Sequence, residues 1–275
     1  MYIRFLVFCL FFAINSISAD AHNYYIIDGA YEDNSVVKLW YTMIGLLDDY
    51  DTSRCSGFEI SFNGDGKHYD ATRGPNWWDY YFAFHAVGSA QNSSIVRVPR
   101  YQRSIMRFKV ACTMSPERAH FLLNKYVKLQ PAVQAKLEQI KKDYFSQDVP
   151  VVGVYYQKPI MPGVQPSWDP VMLADRVQQE IRELGDCIIW LCADQTGFNE
   201  VFEKKFVKRC MRIPFFAHNA CRSGAEQGEY ELLTLLLLAQ CDLVIAPGSY
   251  YGIGAKMLNP HLKLVQLDTI PYACE

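Results

Sequence analysis

The sequence predicts an α/β protein in which a parallel sheet flanked by helices forms the C-terminal half of the chain. Residues 151–156 are a continuous apolar run, which is typical of a strand buried on both faces of a parallel sheet. Similar runs recur at 187–192 and 243–246, a last strand is expected at 262–267, and segments of helical periodicity separate these strands. Because strands that alternate with helices need right-handed crossovers, this half is predicted to be Rossmann-like.

The segments between these strands carry helix signals. Asp169-Pro170 is a cap followed by a proline at the first helical position, so a helix is expected to begin there. Further predicted elements of this half are helices around 198–206 and 230–240, a short strand around 211–216, and a helix after the turn Pro247-Gly248-Ser249.

The N-terminal half is less regular. It contains predicted strands at 24–27 and 58–62, a helix marked by apolar residues from 36 to 47, an aromatic irregular segment at 69–84, and helices at 115–129 and 131–144. A polar stretch at 146–150 divides the two patterns. We therefore expect an N-terminal α/β domain over 20–147 and a C-terminal domain over 148–275.

Composition excludes several classes of protein. Half of the 275 residues are hydrophobic, which is too many for a disordered chain. The net charge is −2 and no block of Lys and Arg occurs, so nucleic acids and anionic membrane surfaces are not expected partners.

The first 19 residues resemble a signal peptide. Arg4 precedes an apolar run over 5–14, and small residues including Ala19 follow it. The run is shorter than a membrane span. We expect cleavage near Ala19 and a lumenal, secreted or periplasmic protein without a stable membrane span; an uncleaved anchor is the alternative.

Cysteine number agrees with an oxidising compartment. Removal of Cys9 with the signal leaves eight cysteines, an even number that favours disulfide bonds. Four bridges, or one or two bridges beside buried free thiols, are both compatible with the spacing, and no cysteine pattern indicates zinc. Asn92-Ser93-Ser94 is an N-glycosylation sequon if the source is a eukaryote.

Three predicted strand ends concentrate the polar and aromatic residues that suit a ligand site. They are 155–159, 193–195 and 247–251. Ligands bind at the carboxyl ends of parallel strands, and a helix that begins after Ser249 would present N–H groups to a phosphate. Asp194 suits either this site or a helix cap, and the tyrosines suit either sugar stacking or a buried wall. No dinucleotide, P-loop or hydrolase motif is present.

These strand ends resemble three motifs of the α1,6-, protein O- and nodulation fucosyltransferases. The stretch 189–195 with the helix ending at 206 is similar to their second motif, and the leucine-rich run 235–249 to their third. Residues 152–157 lie where their first motif ends in His-x-Arg, and the aromatic segment 69–82 is similar to part of their acceptor domain.

The resemblance implies a GT-B-like fold of two Rossmann-like domains. It implies metal-independent, inverting transfer of a sugar, usually fucose, from a GDP-sugar to a glycan or protein hydroxyl, with no further cofactor. The residues it assigns are Gln157, Lys158 and Asp194 for catalysis; Tyr155, Gln195, Gly248, Ser249, Tyr250 and Tyr251 for the donor; and Trp77, Trp78, Tyr80 and Tyr81 for the acceptor or glycan.

Several positions depart from the family pattern. Gln157 stands in place of the arginine of the first motif, and Tyr155 stands in place of its histidine. A neutral amide binds a diphosphate less strongly than the charged guanidinium group of arginine. Gln195 and Thr234 replace acidic residues. An inactive descendant that binds glycans or proteins, with an aromatic surface at Trp77, Trp78, Tyr80 and Tyr81, is therefore an alternative. Burial of these rings in a hydrophobic core between the two domains is the other interpretation of this segment. A secreted Rossmann-like protein unrelated to sugar transfer is a further alternative.

Overall fold

The computed structural model describes residues 23–28, 36–62, 70–74, 76–84, 86–98, 100–145, 148–156, 168–193, 196–213, 224–247 and 249–267. Within these residues the chain forms two sheets, one in each half, with helices on their faces. The α/β prediction is confirmed for both halves.

The described residues of the N-terminal half form a four-stranded sheet and four helices. Its elements are β1 (Asn23–Asp28), α1 (Val36–Asp51), β2 (Gly57–Ser61), a 3-10 turn (Trp77–Tyr80), β3 (Ala86–Gly88), β4 (Ser94–Arg97), α2 (Arg100–Thr113), α3 (Pro116–Tyr126) and α4 (Pro131–Tyr144). The strand order is β3-β2-β1-β4. Strand β1 pairs in parallel with β2 and β4, whereas the edge strand β3 is antiparallel to β2.

Three elements of this half have no counterpart in the sequence prediction. They are β3, β4 and α2. The two strands are three and four residues long, and their side chains are mostly exposed, so neither alternation nor an apolar run marks them.

Helix α1 is buried on nearly every side. The predicted apolar positions Val36, Trp40, Met43 and Leu47 are buried, but so are most of the residues between them. The reason is its location, because α1 packs against α2 and α3 on one side and against helices of the C-terminal half on the other.

The C-terminal half, where the structure describes it, contains a five-stranded parallel sheet. Its elements are β5 (Val151–Tyr156), α5 (Pro170–Glu180), β6 (Ile188–Ala193), α6 (Thr196–Lys205), β7 (Cys210–Met211), α7 (Gly224–Leu238), β8 (Leu243–Ala246), α8 (Tyr250–Leu258) and β9 (Lys263–Gln266). The strand order is β7-β6-β5-β8-β9, and every pair is parallel. The Rossmann-like prediction is confirmed.

Local signals position two of these helices as expected. The Asp169 carboxylate accepts from the N–H groups of Val171 and Met172, each at 2.8 Å, and Pro170 occupies the first helical position of α5. Ser249 is the N-cap of α8.

The two faces of the C-terminal sheet belong to different cores. One face of β5, including Val152 and Val154, packs with α5 and α6 in a core confined to this half. The other face, including Val151 and Tyr155, joins a larger core that also contains α1 and the N-terminal sheet. The two halves are therefore joined by buried apolar surface.

None of the cysteines in the described part of the chain is in a disulfide bond. These residues are Cys55, Cys112, Cys187, Cys192, Cys210 and Cys241. The alternative of four disulfide bonds is wrong, since it requires all eight cysteines to be paired. Cys221 and Cys274 lie outside the described residues. None of the described helices is long and apolar enough to cross a bilayer.

Candidate functional site

The predicted strand ends meet at one edge of the C-terminal sheet. Tyr156 at the end of β5 pairs with Ala193 at the end of β6, and Val154 of β5 pairs with Ile245 of β8. Strands β6 and β8 lie on opposite sides of β5 although β5 comes first, so the order of the chain reverses beside β5. Ligands of open α/β sheets bind in the crevice outside such a switch point.

Five of the predicted site residues follow these strand ends directly but lie outside the described residues. They are Gln157, Lys158, Asp194, Gln195 and Gly248. Their assigned roles remain predictions. The described residues next to them define the edge of the sheet from which their segments leave.

Ser249 lies at the switch point as the N-cap of α8. Its hydroxyl oxygen accepts from the Tyr251 N–H at 3.1 Å. This bond fixes the start of the helix, and the positive end of its dipole faces the end of the sheet. The site therefore offers the kind of helix terminus that binds phosphates.

Tyr155 and Tyr251 stack on each other beneath this edge. Their ring centroids are 4.2 Å apart with an angle of 19° between the planes, and both side chains are buried. Burial raises the pKa of each phenol well above its ordinary value, and the nearby Tyr230 and Glu231 raise it further. Both phenols therefore stay neutral at physiological pH. Their rings lie next to the switch point, since Tyr155 belongs to β5 and Tyr251 to α8.

Tyr250 links the site to the N-terminal half. Its backbone carbonyl accepts from the Tyr41 hydroxyl at 2.5 Å, and the two rings meet edge to face with centroids 5.2 Å apart. Because Tyr41 belongs to α1, the first turn of α8 is fixed against the other half of the molecule.

Glu231 is a buried carboxylate that the sequence analysis missed as a site residue. It lies in the leucine-rich helix α7, and its Oε2 accepts from the Val36 N–H at 2.9 Å. Val36 is the first residue of α1, so the carboxylate lies at the positive end of that helix. The acidic residue directly before the leucine-rich run 232–238 was the available signal. The family pattern had drawn attention instead to Thr234, one turn later, which is also buried.

Arg103 is a second residue that was not predicted from the sequence as part of a site. It lies at the carboxyl end of the N-terminal sheet. It is fully buried and donates to the backbone oxygens of Val98 and Asp28 at 3.1 and 2.9 Å. The Asp28 carboxylate also forms an ion pair with Arg97. Strand β1 has β2 on one side and β4 on the other, so these charges mark a second switch point.

The aromatic surface predicted for a glycan is wrong for three of its four members. Trp77, Trp78 and Tyr81 are 2%, 0% and 0% exposed. Trp78 stacks on Phe82 with centroids 4.0 Å apart, and the Tyr81 hydroxyl donates to the Ala225 carbonyl of α7 at 2.7 Å. Large apolar rings are most stable where they are covered, and here the other half of the chain helps to cover them.

Tyr80 is half-buried and has a local role. Its hydroxyl oxygen is 2.7 Å from the Asp70 carbonyl oxygen and 2.6 Å from that of Gly74. The side chain therefore fastens the segment that precedes the 3-10 turn.

Metal binding has no candidate among the described residues. No group of three or more His, Cys, Asp and Glu side chains that could hold an ion occurs there. The expectation of metal-independent chemistry stays a prediction.

The two facing α/β halves define a fucosyltransferase-like fold of the GT-B type. A crystal structure of the α-1,6-fucosyltransferase NodZ soaked with GDP-fucose matches with a TM-score of 0.58 at 16% identity, covering 88% of this chain and 94% of the other. NodZ co-crystallised with GDP matches with a TM-score of 0.57 at 15% identity, over 89% and 94% of the chains.

The fucosyltransferase NodZ from Bradyrhizobium matches with a TM-score of 0.55 at 13% identity, over 89% and 95% of the chains. No protein-family profile matches the sequence. No curated protein matches it either. The predicted resemblance is thus confirmed at the level of the fold.

Proposed function

We propose that the protein is a glycosyltransferase that transfers fucose from GDP-fucose to a hydroxyl group of a glycan or protein. The observation that carries this proposal is the likeness in fold, over 88% of the chain, to a fucosyltransferase soaked with GDP-fucose. The parallel sheet of this chain supports it, because its switch point lies beside the capped N-terminus of α8.

The donor would bind across the carboxyl ends of β5, β6 and β8. The α8 N-terminus would stabilise the diphosphate, together with Lys158, which follows β5 in the sequence. Gln157, Gln195 and Gly248 would supply neutral hydrogen bonds, and Asp194 a carboxylate. In this proposal the positioning residues are Tyr155, Tyr251 and Glu231. The two tyrosines pack at the start of α8, and Glu231 binds the start of α1.

The reaction would be a substitution at the anomeric carbon. The bond between that carbon and the diphosphate oxygen breaks, the acceptor hydroxyl forms a new bond from the opposite face, and the hydroxyl proton passes to a base or to water. GDP leaves with the bonding electron pair. Helix-end N–H groups and the Lys158 ammonium would stabilise its developing charge without a metal ion.

A transfer assay tests the proposal. The full chain is incubated with GDP-fucose, and separately with GDP-mannose, in the presence of mixed glycan acceptors, and release of GDP and labelled product is measured. Lys158→Met should lower kcat/KM by about ten-fold to a hundred-fold, because a hydrogen bond to a charged group contributes about 1.5–3 kcal/mol. Lys142→Met, on the exposed end of α4, is the control. No GDP release with any donor would contradict the proposal.

An inactive descendant remains the second candidate, and Gln157 is the observation that favours it. Burial of Trp77 and Trp78 removes the glycan surface first envisaged for such a protein. GDP binding without turnover would support this second candidate, and Gln157→Arg then tests whether the absent guanidinium is the cause, since it should restore turnover only at an otherwise complete site. We place either protein in the lumen of the secretory pathway, on the evidence of its first 19 residues.

A further inference from the structure

The turn between β3 and β4 presents an asparagine to solvent. The Ser93 N–H donates to the Ala90 carbonyl at 3.1 Å, which closes a β-turn over residues 90–93. Asn92 is the third residue of this turn and has a φ of 63°. Asparagine is one of the few residues that adopts this left-handed conformation readily, and its side chain here is exposed.

Asn92 also begins the only Asn-x-Ser/Thr tripeptide in the sequence. The hydroxyl of the middle residue, Ser93, lies 2.7 Å from the Ser56 hydroxyl and ties the turn to the loop before β2. The third residue, Ser94, begins β4 with an exposed side chain. The acceptor amide and the hydroxyl that the sequon requires are therefore both on the surface.

We propose that Asn92 is a site of N-glycosylation. The glycan donor would be a lipid-linked diphospho-oligosaccharide. The Asn92 amide nitrogen forms a bond to the anomeric carbon, the bond from that carbon to the diphosphate oxygen breaks, the amide loses one proton, and the lipid diphosphate leaves. The modification is independent of the sugar-nucleotide site.

The strand after the turn gives a glycan at Asn92 a physical role. In the described part of the N-terminal sheet β4 is an edge strand, and Ile95 within it is 63% exposed. Exposed edges with β-branched residues pair with other chains, and natural proteins cover or interrupt them. A bulky, hydrophilic glycan three residues before Ile95 would cover this edge.

The test is expression of the full chain, with its own N-terminus, in a eukaryotic secretory host. Mass spectrometry should find an oligosaccharide on Asn92, and peptide N-glycosidase should remove it. Asn92→Gly, which keeps the left-handed turn, and Ser94→Ala should both abolish the modification, whereas Ser94→Thr should retain it. A lumenal or secreted chain with unmodified Asn92 overturns the proposal, and so does a chain that never enters the lumen.

Discussion

Gly228 allows a tyrosine of the N-terminal half to rest on helix α7. A Cβ at this position would lie 2.3 Å from the Tyr81 hydroxyl oxygen, and that hydroxyl donates to the Ala225 carbonyl one turn earlier. The missing side chain thus creates the space for a buried hydrogen bond between the two halves. Burial also raises the pKa of Tyr81, so the hydroxyl stays protonated and remains a donor.

Gly228→Ala is expected to lower the free energy of unfolding by about 1–3 kcal/mol, because the added methyl overpacks a filled site. Urea denaturation measures the change. In a Tyr81→Ala background, which removes the clashing ring, the same substitution should cost much less. Additive effects of the two substitutions would contradict the contact.

Asp51 lies in a cluster of cations at the end of α1. Its carboxylate accepts from Lys125 Nζ at 2.6 Å and from the Tyr126 hydroxyl at 2.8 Å, and Arg118 Nη2 is 2.8 Å away. The hydrogen bond from Lys125 is the largest cause that lowers the pKa of Asp51, followed by that from Tyr126.

Because the pKa of Asp51 is lower in the folded state, its stabilisation is present above the unfolded pKa of about 3.9 and is lost as the pH falls below it. Asp51→Asn should therefore destabilise the protein at pH 7, and the difference from the wild type should shrink below about pH 4. The urea midpoint of unfolding at pH 7 and pH 3 measures this. Asp143→Asn is the control, since Asp143 accepts from the neutral Gln139 amide. A pH-independent difference for Asp51→Asn would contradict the assignment.

At the scale of elements, Gly153 sets the distance between β5 and the end of α7. A Cβ there would lie 2.8 Å from Leu238 Cδ2 and 2.9 Å from Cys241 Sγ. Gly153→Ala should lower the free energy of unfolding by about 1–3 kcal/mol, because neither of these neighbouring side chains is at the surface of the protein. Gly197→Ala in α6 is the matched control: nothing lies within 4 Å, so helix propensity should leave the stability unchanged or raise it by up to about 1 kcal/mol. Equal effects in thermal or urea unfolding would refute the packing argument.

Some of these elements could be predicted from the sequence, and others could not. Strands β5 and β8 were predicted at their observed ends, because a strand covered on both faces must be apolar throughout. Strands β3, β4 and β7 have two to four residues, too few to display a period, and β7 is shorter than the run predicted around it. The caps Asp169 and Ser249 were found because their signal is local.

The site was less predictable than the fold. Its strand ends followed from topology, but the contacts that support them join residues far apart in the chain. Tyr41 meets Tyr250 across 209 positions, and Val36 meets Glu231 across 195. The segment at 77–81 has no periodicity that would show which side is covered, so the sequence left open whether its rings form a surface or belong to a core between the domains.

At the scale of the whole molecule, the halves share one core. Buried residues of α1 and the N-terminal sheet form a single apolar cluster with those of α7 and α8. Buried hydrogen bonds from Tyr81 and Val36 cross the same boundary. Separation of the halves would expose this surface and leave these polar groups without their partners.

We therefore expect a single cooperative unfolding transition, with equal calorimetric and van't Hoff enthalpies. Differential scanning calorimetry of the purified chain measures both. A matched test is the isolated 148–275 fragment, which should be aggregated or unfolded because one face of its sheet is uncovered. Two resolved transitions, or a stable, monomeric fragment, would show that the halves are independent.

We expect a GDP-sugar to bind where β5, β6, β8 and the start of α8 meet. Isothermal titration calorimetry of the purified protein with GDP and with GDP-fucose tests it most directly. We expect saturable binding of one nucleotide per chain, weakened by Lys158→Met and unchanged by Lys142→Met. Absence of binding heat by a protein whose far-UV circular dichroism shows it to be folded would contradict it.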